Sequence, residues 1–242
     1  MHYNEFYHAK DADDAFEHWW SLLSSYMPND VKESRDGNVV DEVINAMTVI
    51  EDPTHCFMKN KIRKMPMRYA IGELLWYLSG NNDLKSIQMF TSAWDRMSDD
   101  GETVNSNYGY CLMDKFGFNQ IEQALTQLRD NPNSRQVVLH IKEARNLIEN
   151  PTKDLNCTVC LQLFIRDGKL YMTTYMRSND LWMGFPYDVF QFTCLQILMA
   201  MQLHVGVGTY THVAGSLHLY ERDWQKGMKN EQEAYSQKVE GK

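Results

Sequence analysis

Proline is scarce in this chain, six residues in 242, and those six are scattered. No Pro/Gly/Ser-rich linker, low-complexity tract or internal repeat marks a boundary, so residues 1–242 read as a single domain. An excess of positive charge is missing as well. Lys and Arg number 24 against 32 Asp and Glu, a formal net charge of −8. That balance excludes a global basic field for sequence-blind nucleic-acid binding but leaves room for a local pocket of arginines around one phosphate. Long hydrophobic runs are also lacking. The longest, 181–203, is interrupted by Pro186, Asp188, Gln191, Gln196 and Gln202, which makes poor membrane material and reads as a core helix. The start, "MHYNEFYHAKDADDAFEHWW", has no basic segment followed by an apolar one, so no signal peptide is expected. Cysteines number five, and the one C-x-x-C, Cys157 to Cys160, has no second pair or nearby histidine to complete a zinc pattern. Free thiols in a reducing cytoplasm, with no metal, are the expectation.

What is present is ample material for a core: 43% hydrophobic residues and 12% aromatics. The spacing predicts helices over 11–27, over 67–80 with Gly80 as its stop, and over 118–134. β-branched runs predict strands over 34–52 and 135–141, and again over 208–220. The clearest local signal is "CTVCLQLFIRDGKLYMTTYMRS", two β-rich runs around Asp167-Gly168, a dipeptide suited to a type I′ hairpin. "PYDVFQFTCLQILMAMQL" follows as a long buried helix with Pro186 at or just before its first turn. Helices and strands are intermixed, so the class is α+β, long helices covering a mixed or largely antiparallel sheet.

Asp188 is the odd residue in the apolar run, set between Tyr187 and Val189. A carboxylate buried there without a partner would sooner take up a proton than stay charged. It is a satisfied structural acid, an exposed residue, or a group placed to read a ligand. Cys157 closes the polar loop "NPTKDLN" and opens a strand, where nearby positive charge would favour a reactive thiolate. An isolated cysteine is more often a small buried hydrophobe, the role that suits Cys160 better. Arg177-Ser178 would make a good phosphate grip, and Arg35 and Arg135, each flanked by turn residues, could join it; a surface ion pair is the commoner fate of a lone arginine. Glu73 lies inside an apolar helix, as a half-exposed face residue or as a buried proton handler. His218 and Tyr220 alternate on a strand and so share a face, as a core pair or as ligand contacts. Singly, none of these decides.

In combination they do. "NCTVCLQLFIRDGKL", "YMRSNDLWMGFPYD" and "AGSLHLY", in that order, with "GELLWYLSG", "AWD", "NSNYG" and "NPNSR" upstream, resemble the thymidylate synthase superfamily over roughly residues 34 to 224. Within it the chain looks like the bacteriophage deoxycytidylate hydroxymethylases. Asp188 stands where the synthases carry the asparagine that reads uracil, Thr158 where they usually carry histidine, and only 22 residues follow Tyr220, a short tail for a lid that must exclude water. The resemblance implies a single-domain thymidylate synthase-like fold that dimerises through a sheet face. It implies Cys157 as the nucleophile, Glu73 ordering water, Tyr108 close to the thiol, and Asp188 pairing with cytosine. Arg35, Arg177 and Ser178 would hold the phosphate, with Arg135 donated by the other subunit; Gln136 departs from a second arginine common in the family. His218 and Tyr220 would hold the sugar hydroxyl, and Trp94, Asp180 and Gly184 would line the folate site. The implied reaction moves a one-carbon unit from 5,10-methylenetetrahydrofolate to C5 of dCMP and adds water. It involves no metal, membrane or nucleic acid, in a cytoplasm that is the host's if the gene is a phage's. Other readings are a dCMP or CMP methyltransferase variant, a thymidylate synthase acting on dUMP, and a non-catalytic nucleotide- or RNA-binding homologue.

Overall fold

The computed structural model describes residues 2–25, 32–34, 37–148 and 152–240. The β-branched runs do become strands, and they assemble into one sheet. Its strands are β1 (His2–Tyr3), β2 (Phe6–Ala9), β3 (Lys32–Ser34), β4 (Gly37–Ile50), β5 (Val138–His140), β6 (Thr158–Arg166), β7 (Lys169–Met176), β8 (Asn179–Asp180) and β9 (Gly206–Tyr220). The order is β1-β4-β9-β7-β6-β5, with β2 and β3 also on β4 and β8 on β9. The sheet is mixed: β4/β9 and β6/β7 are antiparallel, whereas β7/β9 and β2/β4 are parallel. The hairpin between β6 and β7 turns as its sequence requires. Asp167 (φ 51°) and Gly168 (φ 68°) both take the left-handed conformation, the signature of a type I′ turn.

The helices are α1 (Ala12–Ser24), α2 (Met67–Ser79), α3 (Leu84–Gln88), α4 (Tyr108–Met113), α5 (Gln120–Asp130), α6 (Phe185–Leu203) and α7 (Glu221–Glu240). Asp11 caps α1 by accepting from the Asp14 N–H at 3.0 Å, and Trp19 ties the helix to β4 by donating to Thr48 Oγ1 at 2.8 Å. Phe16, Trp19, Trp20 and Leu23 all point into the core, each worth about 1.5–3 kcal/mol of burial. Gly80, at φ 69°, ends α2 as expected. The helix read over 118–134 is shorter. Asn119 caps it, and Asn131, ahead of Pro132, takes an extended ψ of 87° in place of the helical one.

α1 and α6 cover one face of the sheet, and α2 packs on α6. The polar interruptions of α6 are satisfied from the core side. Gln196 Nε2 donates to the Leu170 and Gly208 carbonyls at 2.8 and 3.1 Å, and Gln191 Nε2 to the Ala70 carbonyl at 3.1 Å. The opposite face leaves Met47, Tyr175 and Val138 exposed, and the strand register places all three on that side. Seven elements were not legible in the sequence: the short strands β1, β2, β3 and β8, the short helices α3 and α4, and the polar α7. Strands of two to four residues carry no period to read; pairing alone makes them strands. α7 is held by particular contacts, with Trp224 Nε1 donating to the Ser24 carbonyl (3.2 Å) and Asn230 Nδ2 to the Ile62 carbonyl (2.7 Å).

Candidate active site

Cys157 sits one residue before β6, at the end of a loop fixed by buried polar groups. Asp154 Oδ2 accepts from the Ser106 N–H at 3.0 Å, and Asn156 Nδ2 donates to the Ser106 carbonyl at 3.2 Å. These bonds tie the loop to the segment that starts α4. The thiol remains partly exposed. Arg177, just past β7, turns its guanidinium back onto this loop: Nε donates to the Asn156 carbonyl (3.0 Å), Nη2 to the Leu155 carbonyl (3.3 Å), and Nη2 lies 3.7 Å from Cys157 Sγ. Ser178 follows it, partly buried, immediately before β8. Lys142 is close enough to feel both groups. Its ammonium is pushed below the usual lysine range by burial and by Arg177, with the Cys157 charge opposing the shift.

The other end of the site is built from α2, α4 and α6. Glu73 is only 3% exposed, so its half-exposed reading is overturned. Its carboxylate accepts from Tyr69 OH at 2.7 Å and from Gln191 Nε2 at 3.0 Å, and Trp94 Nε1 donates to the same Tyr69 oxygen at 3.2 Å. Burial outweighs those hydrogen bonds and pushes Glu73 up to about 7. Asp188, in the first turn of α6, is pushed up to about 8, by burial first and the nearby Glu73 second. Asn179 opposes that rise by donating Nδ2–H to Asp188 Oδ2 at 2.8 Å. Gly184 leaves room for this contact. A Cβ there would stand 2.7 Å from Asn179 Nδ2 and 3.2 Å from Asp188 Oδ2.

Tyr108 joins the two ends. It opens α4, stacks on Phe192 with ring centroids 5.5 Å apart, and lies against Thr158. Burial raises its phenol, and the charges of Asp188 and Cys157 both add to the shift, so both lie within electrostatic reach of the same ring. α4 can approach α2 closely enough because Gly109 follows. A Cβ on it would fall 1.8 Å from the Tyr77 carbonyl oxygen.

β8 runs parallel to the end of β9 and brings the remaining residues alongside. Asp180 pairs in register with His218, and the His218 and Tyr220 rings meet edge-on at 5.0 Å. Asp180 Oδ1 accepts from the Trp182 and Met183 N–H groups at 2.8 and 3.1 Å, and Arg222 Nη2 lies 3.7 Å from Oδ2. Trp94 is partly exposed beside Trp76. Arg135 is exposed just before the edge strand β5, and Arg35 lies outside the described residues. Among the described residues, no group of three or more His, Cys, Asp or Glu could hold a metal ion, and no helix is long and apolar enough to cross a membrane. Residues missed from sequence are Asn179, His212, Tyr69, Gln191 and Lys142. The available signals were the strand parity His212 shares with His218 and the place of Gln191 in an otherwise apolar run.

The thymidylate synthase sequence profile matches residues 23–238. The chain belongs to the thymidylate synthase family. It is similar to the deoxyuridylate hydroxymethyltransferase of Bacillus phage SP01, 30% identical over 200 residues, 78% of this chain and 52% of that protein. It thus spans about half the length of that relative. Among solved structures it resembles the thermostable thymidylate synthase A from Bacillus subtilis, with TM-score 0.67 and 26% identity over 78% of this chain and 69% of that one. It also resembles the thymidylate synthase from T4 phage, with TM-score 0.70 and 20% identity over 85% and 77%. The α+β thymidylate synthase-like fold expected from the motifs is the one found.

Proposed function

We propose that this thymidylate synthase family member transfers a one-carbon unit to C5 of dCMP and hydrates it, giving 5-hydroxymethyl-dCMP. The observation that carries the reading is the environment of Asp188. With its affinity for a proton raised to about 8, the carboxyl is mostly neutral at pH 7 and offers one O–H donor and one carbonyl acceptor. Cytosine presents the complement, an acceptor at N3 and a donor at the exocyclic amine. A site built for one edge leaves buried groups unpaired against the other.

The chemistry follows from the same geometry. Cys157 thiolate, favoured by the adjacent Arg177 guanidinium, forms a bond to C6, and the C5–C6 electron pair moves to C5 as a carbon nucleophile. Asp188 supplies the proton that neutralises N3 as this happens. The folate is expected to meet the partly exposed Trp94 and Asp180 and to pass Gly184, where a Cβ would crowd Asn179 and Asp188. When bound, methylenetetrahydrofolate supplies a carbon at the oxidation level of formaldehyde. Once C5 carries that carbon, C5 gives its proton to solvent and the carbon–nitrogen bond to the folate breaks, which releases tetrahydrofolate and leaves an exocyclic methylene on the base. Glu73 orders the water that adds to this methylene. The electron pair returned to C5 then reforms the C5–C6 double bond as the S–C6 bond breaks and Cys157 leaves. Ser178, Arg177 and Arg35 hold the phosphate, His218 and Tyr220 the deoxyribose hydroxyl. A second copy docks on the face exposing Met47, Tyr175 and Val138 and lends its own Arg135, making a homodimer.

Incubation with dCMP, dUMP or CMP plus methylenetetrahydrofolate, followed by mass spectrometry, tests the reading. A product heavier than dCMP by one CH2O is expected, with tetrahydrofolate released. A methylated product with dihydrofolate, or turnover of dUMP alone, overturns it. The specific second reading is hydroxymethylation of dUMP, supported by the name of the SP01 relative. A neutral carboxyl can serve uracil too if its donor and acceptor oxygens are exchanged.

A further inference from the structure

Behind Asp188 runs a line of hydrogen bonds that the chemistry above leaves unused. Tyr210 and His212 are alternate residues of β9, 0% and 1% exposed, with the hydroxyl 2.9 Å from His212 Nδ1. His212 Nε2 lies 2.9 Å from Asn179 Oδ1, and Asn179 Nδ2 lies 2.8 Å from Asp188 Oδ2. Asn179 is itself only 2% exposed, and Phe185 packs edge-on to the His212 ring at 5.2 Å. Burial keeps His212 neutral, its affinity for a second proton lowered to about 3. A neutral imidazole has one donor and one acceptor nitrogen, so the line has a direction. Asn179 decides which. With its Nδ2–H given to Asp188 Oδ2, its Oδ1 can only accept, so His212 Nε2 carries the hydrogen. Nδ1 is then bare and accepts from the Tyr210 hydroxyl, which also has Thr174 within hydrogen-bonding reach.

A neutral carboxyl has one hydroxyl oxygen and one carbonyl oxygen. The oxygen that accepts an amide N–H is the carbonyl one, which puts the proton on Oδ1. Cytosine and uracil differ in the order of donor and acceptor along N3 and position 4. Moving the proton from one Asp188 oxygen to the other would therefore exchange the base that fits. We propose that Tyr210, His212 and Asn179 are positioning residues that confine the Asp188 proton to Oδ1 and so set which pyrimidine is accepted. This rests on Asp188 as the base-reading group and goes beyond it by assigning the discrimination to side chains that touch no substrate.

The test compares kcat/KM for dCMP and dUMP across folded variants. Tyr210→Phe, which removes one oxygen, should lower the preference by about tenfold, and His212→Phe by at least as much. His212→Gln, which keeps an N–H for Asn179, should stay within about twofold of the parent. If Asp188→Asn moves the preference and neither Tyr210→Phe nor His212→Phe does, the positioning role is overturned while base reading survives. If Asp188→Asn moves nothing, base reading itself is overturned, and this proposal with it. A His212→Gln protein shifted as far as His212→Phe also overturns it, since ring packing rather than the N–H would then be responsible.

Discussion

At the Cys157 end of the site, the sulfur is partly exposed and faces cations: Arg177 at 3.7 Å, with Lys142 close enough to be shifted by both. At the Asp188 end, which shares Tyr108 as an electrostatic neighbour with Cys157, two acids are enclosed and both hold protons more tightly than usual, Glu73 to about 7 and Asp188 to about 8. One end favours negative charge and the other resists it. The difference comes from the elements that build each end. A loop leading into β6 lets the thiol reach solvent and arginine, whereas α2 and α6 press the carboxyls into a core where ionisation is penalised. A thiol beside cations and a carboxyl held neutral by burial can therefore coexist near pH 7.

The comparison can be broken most sharply at the thiol. Cys157→Ser should abolish turnover of every nucleotide, read as release of tritium from C5-labelled dCMP; substantial residual release would remove the covalent role of the sulfur. Next in size is Asp188→Asn. It should move the kcat/KM preference from dCMP toward dUMP by about 10³-fold or more, because each amide or acid then leaves buried groups unpaired against the other base. An unmoved ratio would detach Asp188 from the base.

Glu73→Gln should be milder, lowering kcat by about 10²-fold, the usual share of one positioned proton carrier. It should also change the pH profile. Activity that needs Glu73 ionised and Asp188 neutral rises through about pH 7 and falls above about pH 8. Loss of the acid limb alone is expected in Glu73→Gln, and its persistence would assign that limb to another group. The smallest effect is on stability. Both folded-state affinities lie above the ordinary unfolded values near 4, so the stability they contribute is complete below that pH. It is lost as pH rises through about 7 for Glu73 and about 8 for Asp188. Asp188→Asn should therefore raise the melting temperature at pH 9 relative to the parent by more than it does at pH 5, measured by circular dichroism. An equal change at both would mean that the carboxyl is not held neutral by its surroundings.

Much of this was legible in the chain. The turn at Asp167-Gly168, the stop at Gly80 and the strand over 208–220 follow from local steric preference and period-two patterning, which act over a few residues. Glu73 and Asp188 stood out as acids in apolar neighbourhoods and Cys157 as a thiol between a polar loop and a strand, and motif order made a family of them. Nothing local marked Asn179, and Gln191 was marked only as one of several interruptions of an apolar run. Each is an ordinary polar residue in sequence, and each becomes significant through one hydrogen bond to an acid nine or 118 positions away. The parallel pairing of β7 with β9, separated by the whole of α6, was equally beyond local reading.

The sequence by itself determined the elements and the chemical types at the site, because backbone preference and side-chain chemistry are properties of each residue and its near neighbours. Tertiary structure decided the protonation state of the two acids and the direction of the hydrogen bonds that hold them. Those depend on which distant groups exclude water from a carboxyl, and only the packed sheet and helices bring such groups together.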